Sequence, residues 1–263
     1  MRDGVYRPGP ASDLLLLWLN EALNARKRIK DCKVDIVNGF EITAYSQQGQ
    51  ELDIIKNFMP NIDQVRDGTF VELGGFDGIT YSNTKAIEDV FGFKGVLIEA
   101  SDAYIAMDIN RPNTKNYRAA ISKETSVQFY GSTAVAGTQE NKMAHDRYQL
   151  ADTYGFSRKE MYEKNSYKVP GLPISQILQD SKLKYIDLFF IDVEGSELDV
   201  IETMDWDIPV YLICIEMHDH EHKKQDRQLI RRILTDKGFT YKKKIAEDEI
   251  WVNNSYFRKG KFV

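Results

Sequence analysis

Hydrophobic and polar positions along this chain fall into two alternating kinds of pattern. Apolar runs occur at Thr69–Leu73, Gly95–Ile98, Ile186–Val193 and Val210–Glu216. The last two lack alternation with polar residues, as expected of interior strands of a parallel sheet. Helical spacing fills the gaps: Leu52, Ile55 and Phe58, then a segment from about Ser82, then Asp102–Asn110, which Pro112 stops. A further helix, Ser175–Gln179, is opened by Pro170-Gly-Leu-Pro173, and one from Lys223 to Asp236 is closed by Gly238. Asn116–Ser122 predicts a third strand of the first set, Val127–Tyr130 a short one, and Phe239–Lys244 with Glu249–Asn253 an antiparallel pair across Ala246-Glu-Asp248. Strands alternating with helices predict an α/β fold.

Both ends of this pattern carry less regular stretches. Residues 1–11 read as a loose arm, and Ser12 caps a helix running to about Lys30. Leu14, Leu15, Trp18, Leu19, Ala22 and Leu23 share one face of it. That face is expected to be covered, by the domain itself or by a second copy in a homo-oligomer. Val34–Tyr45 alternates and predicts a strand or hairpin, so the chain divides into an N-terminal arm and helix, 1–45, and a main domain, 46–263. Gly131–Gln149 has no period and is expected to be a loop. Tyr148, Tyr154, Phe156 and Tyr162 follow, either on a surface helix or on a lid with stacking faces for a sugar.

The chemistry concentrates between Thr69 and Glu99. The first apolar run enters the turn Glu72-Leu-Gly-Gly-Phe-Asp-Gly78, a helix follows, and the second run ends on Glu99. This is the strand–glycine loop–helix–strand–acid layout of a nucleotide-binding half. Glycines let backbone approach a ligand where a Cβ would collide. Glu99, about 20 residues beyond the loop, is placed to accept hydrogen bonds from a ribose. The loop is not GxGxxG, however, and Glu72 and Asp77 would repel a pyrophosphate. A ligand with an adenosine and a positive charge fits better, and S-adenosylmethionine (SAM) has both.

The run FVELGGFDGITYSNT, the run GVLIEAS and Asn110-Arg-Pro-Asn113 resemble the FkbM family of SAM-dependent methyltransferases. Ile186-Asp-Leu-Phe-Phe-Ile-Asp-Val-Glu-Gly-Ser-Glu197 resembles the second motif of that family, and Ser46-Gln-Gln-Gly-Gln-Glu51 a segment lying near its cofactor. The resemblance runs from about Ser46 to Asn253. It implies the seven-stranded Rossmann-like sheet of class I methyltransferases and O-methylation, often of a sugar hydroxyl in a glycan or glycosylated metabolite. It implies a cofactor site built from Gln50, Glu72, Gly74, Asp77, Gly78, Asn83, Glu99, Ala100, Ser101, Ala120, Ile121 and Asp192. Ala120 and Ile121 would wall the adenine.

Ligands of open parallel sheets bind beyond the carboxyl ends of the strands. The fourth and fifth runs end in Asp192-Val-Glu194 and Glu216-Met-His218, so Asp192, Glu216 and His218 are expected to gather beside the cofactor, with Glu194 close behind. An alcohol must lose its proton to accept a methyl group, and these residues offer either a base or ligands for magnesium or manganese. His220 and His222 extend the cluster or decorate a solvated loop. Two other readings stay open: a nicotinamide-dependent sugar oxidoreductase or epimerase, and a SAM-binding module without turnover. Tyr81-x-x-x-Lys85 has the spacing of the former but sits on the first helix instead of a later one. Net charge −5 excludes nucleic acid as a bulk electrostatic partner. Leu14–Leu19 is too short to span a bilayer. Cys32 and Cys214 have no metal-type spacing, and a reduced, cytoplasmic chain is expected.

Overall fold

A computed structural model describes residues 19–20, 22–27, 32–130, 137–138, 166–219 and 223–263. A hairpin of β1 (Lys33–Val37) and β2 (Phe40–Ala44) leads into α1 (Gln50–Phe58). The first half of the domain then runs β3 (Thr69–Leu73), α2 (Lys85–Phe91), β4 (Lys94–Glu99), α3 (Tyr104–Asn110) and β5 (Lys115–Arg118). Short strands β6 (Ala120–Ile121), β7 (Ser126–Tyr130), β8 (Gly137–Thr138) and β9 (Ser166–Leu172) come next. The second half is α4 (Ile174–Ser181), β10 (Ile186–Ile191), α5 (Glu197–Thr203), β11 (Val210–Glu216), α6 (Lys224–Asp236), β12 (Phe239–Ile245) and β13 (Asp248–Asn253).

Seven strands form the central sheet, in the order β5-β4-β3-β10-β11-β13-β12. Strands β5 to β11 are parallel, and β13 and β12 close the edge antiparallel. The strand order reverses between β3 and β10, where a crevice opens for a ligand. The two-residue period of a strand feeds two cores. Phe70, Leu188, Phe190, Leu212, Cys214 and Ile250 pack toward α1 and α2. Val71, Leu73, Phe189, Ile191, Ile213 and Trp251 pack toward α4, α5 and α6.

Three departures from the sequence pattern have physical causes. The strand expected over Asn116–Ser122 is two strands: β5 stays in the central sheet, while β6 leaves it to pair with β9 in a second sheet ordered β6-β9-β7-β8. Strand β9 itself was hidden by Pro170 and Gly171, residues that read as a turn. Here Pro170 sits opposite Ser126, and a Cβ on Gly171 would lie 2.1 Å from the Glu124 carbonyl oxygen, so the close backbone approach requires glycine. The hairpin assigned to the N-terminal arm places Val37, Ile42 and Ala44 in the main core.

Residues 19–20 and 22–27 are helical, and this helix docks through small side chains. Ala22 packs with Ala103 and Ala106 at α3, and Arg26 donates to the Asn110 side chain at 2.7 Å and the Ile109 carbonyl at 2.8 Å. Of the described part of the apolar face the domain covers Ala22, while Leu19 and Leu23 stay 40% and 47% exposed. Leu14, Leu15 and Trp18, like the lid aromatics Tyr148, Tyr154, Phe156 and Tyr162, lie outside the described residues. No described helix is long and apolar enough to cross a membrane.

Candidate functional site

A cavity of about 320 Å³ opens at the carboxyl edge of the central sheet. Its wall takes Glu99 from the end of β4, Gly74 after β3, Asp192 and Glu194 after β10, Glu216 and His218 from the end of β11, and Asp248 from the start of β13. Five adjacent strands, spaced about 4.8 Å apart, give it a run of roughly 19 Å. That is long enough for two ligand parts side by side.

At the β4 side the wall is ordered and partly apolar. Gly74 has φ 78, and a Cβ there would lie 2.1 Å from the Asp192 carbonyl oxygen, so only glycine lets the end of β3 pack against the end of β10. Glu99 Oε2 accepts the Phe76 N–H at 2.8 Å and Oε1 accepts the Ser101 N–H at 2.7 Å. Each oxygen keeps a further lone pair for a hydroxyl. Ala100, Ala119, Ala120, Ile121 and Phe129 make the flat apolar stretch beside it. Asn83 also faces the cavity, and its buried Oδ1 has no hydrogen-bond partner in the protein. An acceptor of that kind suits an ammonium group.

The loop amides are used internally. Gly74 and Gly75 N–H both donate to the Ile98 carbonyl, at 3.0 and 3.1 Å, and Gly78 N–H to Gly75 at 2.8 Å. Ile79 and Thr80 N–H donate to Asp77 Oδ1 at 2.9 and 2.7 Å, while Thr80 Oγ1 donates to Oδ2. The N–H groups of Gly74, Gly75, Phe76, Gly78, Ile79 and Thr80 are therefore already used and not open to a dinucleotide's phosphates.

Four expected cofactor residues lie outside the cavity wall: Glu72, Asp77, Gly78 and Ser101. Glu72 shares a strand face with Phe70 and points under the loop, where its carboxylate accepts Ser82 Oγ at 3.0 Å, Asn83 N–H at 2.6 Å and Thr84 Oγ1. Burial raises its pKa, against the pull of Arg111. Asp77 caps the turn, Gly78 packs on the Arg111 side chain, and Ser101 Oγ accepts the Ala103 N–H at the start of α3. Arg111 is 1% exposed and knits this underside together, donating to the Gly78 carbonyl and to Ser82, Thr84 and Glu88. Asn110 holds the Asp77 carbonyl at 2.9 Å. The Asn-Arg-Pro-Asn segment thus braces the loop from below.

At the β10–β11 side the cavity is acidic. His218 Nε2 lies 2.7 Å from Glu216 Oε1, and Asp192 hydrogen-bonds Glu216. Burial pushes the Asp192 carboxyl well above its ordinary range, and the charges of Glu194, Asp248 and Glu197 push it further. Asp248 is raised by burial too, and accepts Gln50 Nε2 at 2.5 Å from across the mouth. The cluster with metal-ligand spacing is Glu194, Glu216 and His218, whose ligand atoms lie within 4.8 Å of one another. The expected trio was Asp192, Glu216 and His218 with Glu194 close behind; here Glu194 joins Glu216 and His218, Asp192 hydrogen-bonds Glu216, and the chain is left-handed at Glu194 (φ 53) and Gly195 (φ 105). His220 and His222 lie outside the described residues.

Several wall residues are not among those the sequence singles out. Gln47 and Gln48, in the segment whose resemblance placed it near the cofactor, reach the cavity because Glu51, buried by the domain, accepts the Tyr45 and Ser46 N–H groups at 2.6 and 3.0 Å and pins their loop. Ala246 and Glu247 reach it from the β12–β13 turn. Of the six described non-glycine residues with positive φ, four line the cavity: Phe76, Tyr81, Glu194 and Ala246. Such conformations cost of order 1–3 kcal/mol each and cluster at functional sites.

A family model described as the methyltransferase FkbM domain matches residues 72–241. No curated protein sequence matches. Solved structures that resemble the chain include the fibrillarin of Methanococcus jannaschii, a pre-rRNA processing protein, at 14% identity and TM-score 0.43 over 85% of this chain and 83% of that one. Fibrillarin of Aeropyrum pernix with natively bound S-adenosyl-L-methionine is similar at 13% identity and TM-score 0.41, over 86% and 83%. CalS11, a TDP-rhamnose 3'-O-methyltransferase of calicheamicin biosynthesis, is similar at 10% identity and TM-score 0.41, over 95% and 97%. The seven-stranded central sheet is the one that the FkbM methyltransferase resemblance implied.

Proposed function

The chain belongs to the FkbM methyltransferase family, and from that premise we propose that it is an O-methyltransferase acting on a hydroxyl of a sugar, glycan or glycosylated metabolite. One observation carries the reading. A single cavity runs from the ribose acceptor Glu99 across the switch point to Asp192, Glu216 and His218. When bound, SAM supplies a methyl group on a positively charged sulfur. Glu99 would hold the ribose, Ala119, Ala120, Ile121 and Phe129 the base, and Asn83 the ammonium end. The internally bonded loop amides support SAM over a nicotinamide dinucleotide, whose phosphates would find no donors there.

The remaining task falls to the acidic side. Alcohol pKa values lie far above 7, so the attacked hydroxyl needs a group to take its proton. Asp192 is a stronger base than a free aspartate, since burial and neighbouring acids raise its proton affinity. A positive charge brought beside it lowers the cost of its ionised form. His218, oriented by Glu216, is the second candidate. A divalent cation, held by Glu194, Glu216 and His218, would acidify the hydroxyl instead. Cys32 and Cys214 form no disulfide with each other, which fits a reducing compartment, and we place the activity in the cytoplasm.

The test uses methyl-labelled SAM with a panel of methyl glycosides, amino sugars and glycolipid extracts, before and after exhaustive EDTA and with magnesium or manganese restored. Label in a sugar hydroxyl is expected, and it should fall by about 100-fold or more in Asp192→Ala or His218→Ala. Loss on EDTA with recovery assigns the metal, and indifference assigns the direct base. Tight NAD binding without SAM binding in calorimetry overturns the reading.

A further inference from the structure

We propose that the cavity accepts hydroxyls only on neutral or positively charged molecules and turns away sugar phosphates and nucleotide-linked sugars. The inference rests on the methyl-transfer reading above and narrows its acceptor class.

Charge is the first observation. The described lining includes six carboxylates, Glu99, Asp192, Glu194, Glu216, Glu247 and Asp248, and no lysine or arginine. Basic side chains around this wall are already paired. Arg227 donates to the His218 carbonyl at 2.6 Å, and Lys223 Nζ to the Gly195 carbonyl at 2.8 Å. Lys244 Nζ sits 3.1 Å from Asp219 and 3.2 Å from Glu247, Lys243 Nζ 2.7 Å from Asp53, and Arg231 2.5 Å from Glu249. The positive sulfur of the cofactor offsets one negative charge, burial favours the protonated forms of Asp192 and Asp248, and Lys244 pairs with Glu247; Glu99, Glu194 and Glu216 still face the cavity. A diphosphate entering beside them would meet like charge in a partly buried site, where screening is weak.

The second observation is independent of those acids. A protein that lacks cations can still hold a phosphate with backbone N–H groups at a loop or helix start. Here the N–H groups of Gly74, Gly75, Phe76, Gly78, Ile79 and Thr80 are all bonded to acceptors within the loop and β4. What the wall offers is neutral: Gln47, Gln48, Thr80 and Ser196 line it alongside the carboxylates. Amides, hydroxyls and carboxylates are the groups that hold sugar hydroxyls and ammonium groups.

Two measurements test this. In the first, methyl transfer is compared across one sugar presented as its methyl glycoside, its 2-amino form and its nucleoside-diphosphate conjugate. The conjugate is expected to show kcat/KM at least about tenfold lower than the best of the others. In the second, which needs no acceptor, UDP is titrated calorimetrically into protein loaded with S-adenosylhomocysteine, with and without magnesium. No binding is expected up to millimolar UDP, and Glu247→Lys, at the exposed rim, should bring binding into range. UDP binding to the loaded wild type below millimolar, or a conjugate methylated as well as the glycoside, would overturn the proposal. Failure to bind S-adenosylhomocysteine or SAM would instead sink the methyl-transfer reading, so the two failures are distinct.

Discussion

The two ends of one cavity are built on opposite principles. At the β4 side, Asn83 Oδ1 apart, the polar groups are satisfied before any ligand arrives: Glu99 accepts two backbone N–H groups, and the glycine loop bonds to itself and to β4. At the β10–β11 side, carboxylates are crowded together, with Asp192 held up in pKa by burial and by its acidic neighbours and Glu194 in a left-handed conformation. One side is finished and rigid, the other loaded with repulsion that a cation relieves. A site for a positively charged cofactor needs both, a preformed cradle for its neutral part and an unbalanced charge for its reactive part.

The largest effect should come from removing the finished side's anchor. Glu99→Ala takes away the carboxylate proposed to hold the ribose and its ties to Phe76 and Ser101. SAM affinity measured by calorimetry should fall by about 10–100-fold. An unchanged affinity would mean that the preformed side does not hold the cofactor. Next is the loaded side, read through pH. The folded-state pKa of Asp192 is raised, so the native state holds a proton that the unfolded chain has released, and its stability contribution is lost as pH rises above the ordinary aspartate value. Asp192→Asn removes that loss. Its Tm should exceed wild type at pH 8, and the gap should narrow toward pH 5. A gap that widens on acidification would show that Asp192 is not proton-bound in the native state. The smallest effect concerns backbone strain. Glu194→Gly relieves a left-handed residue and one of the crowded charges, and should raise Tm by about 2–4 °C while impairing transfer.

What was legible in the residues follows the same division. Strands buried on both faces leave apolar runs, so β3, β4, β10 and β11 stood out, and with them the residues just past their ends. Glu72 was misplaced because a carboxylate at a strand end reads alike whether it faces a ligand or the loop beneath. The hydroxyls of Ser82 and Thr84, which it accepts, were the unused signal. Asp248 and Glu247 were assigned to a turn, because membership of the wall depends on β13 lying next to β11, a pairing across the sequence. Strand β9 was lost to Pro170 and Gly171, whose local preference for turns is overridden by pairing with β7 and β6.

The strand order also sets when the site can exist. Thr69 N–H donates to the Asp187 side chain across a separation of 118 residues, and β3 next to β10 is the seam at which the crevice opens. Contacts that distant form slowly, because a long loop must close before they return any energy. A growing chain on the ribosome would present the glycine loop and Glu99 early, yet hold no complete crevice until Asp192, Glu216 and finally Asp248 had emerged. Cofactor capture is thus a late event of synthesis. Ligand binding to truncated chains ending before and after Asp248 would time it.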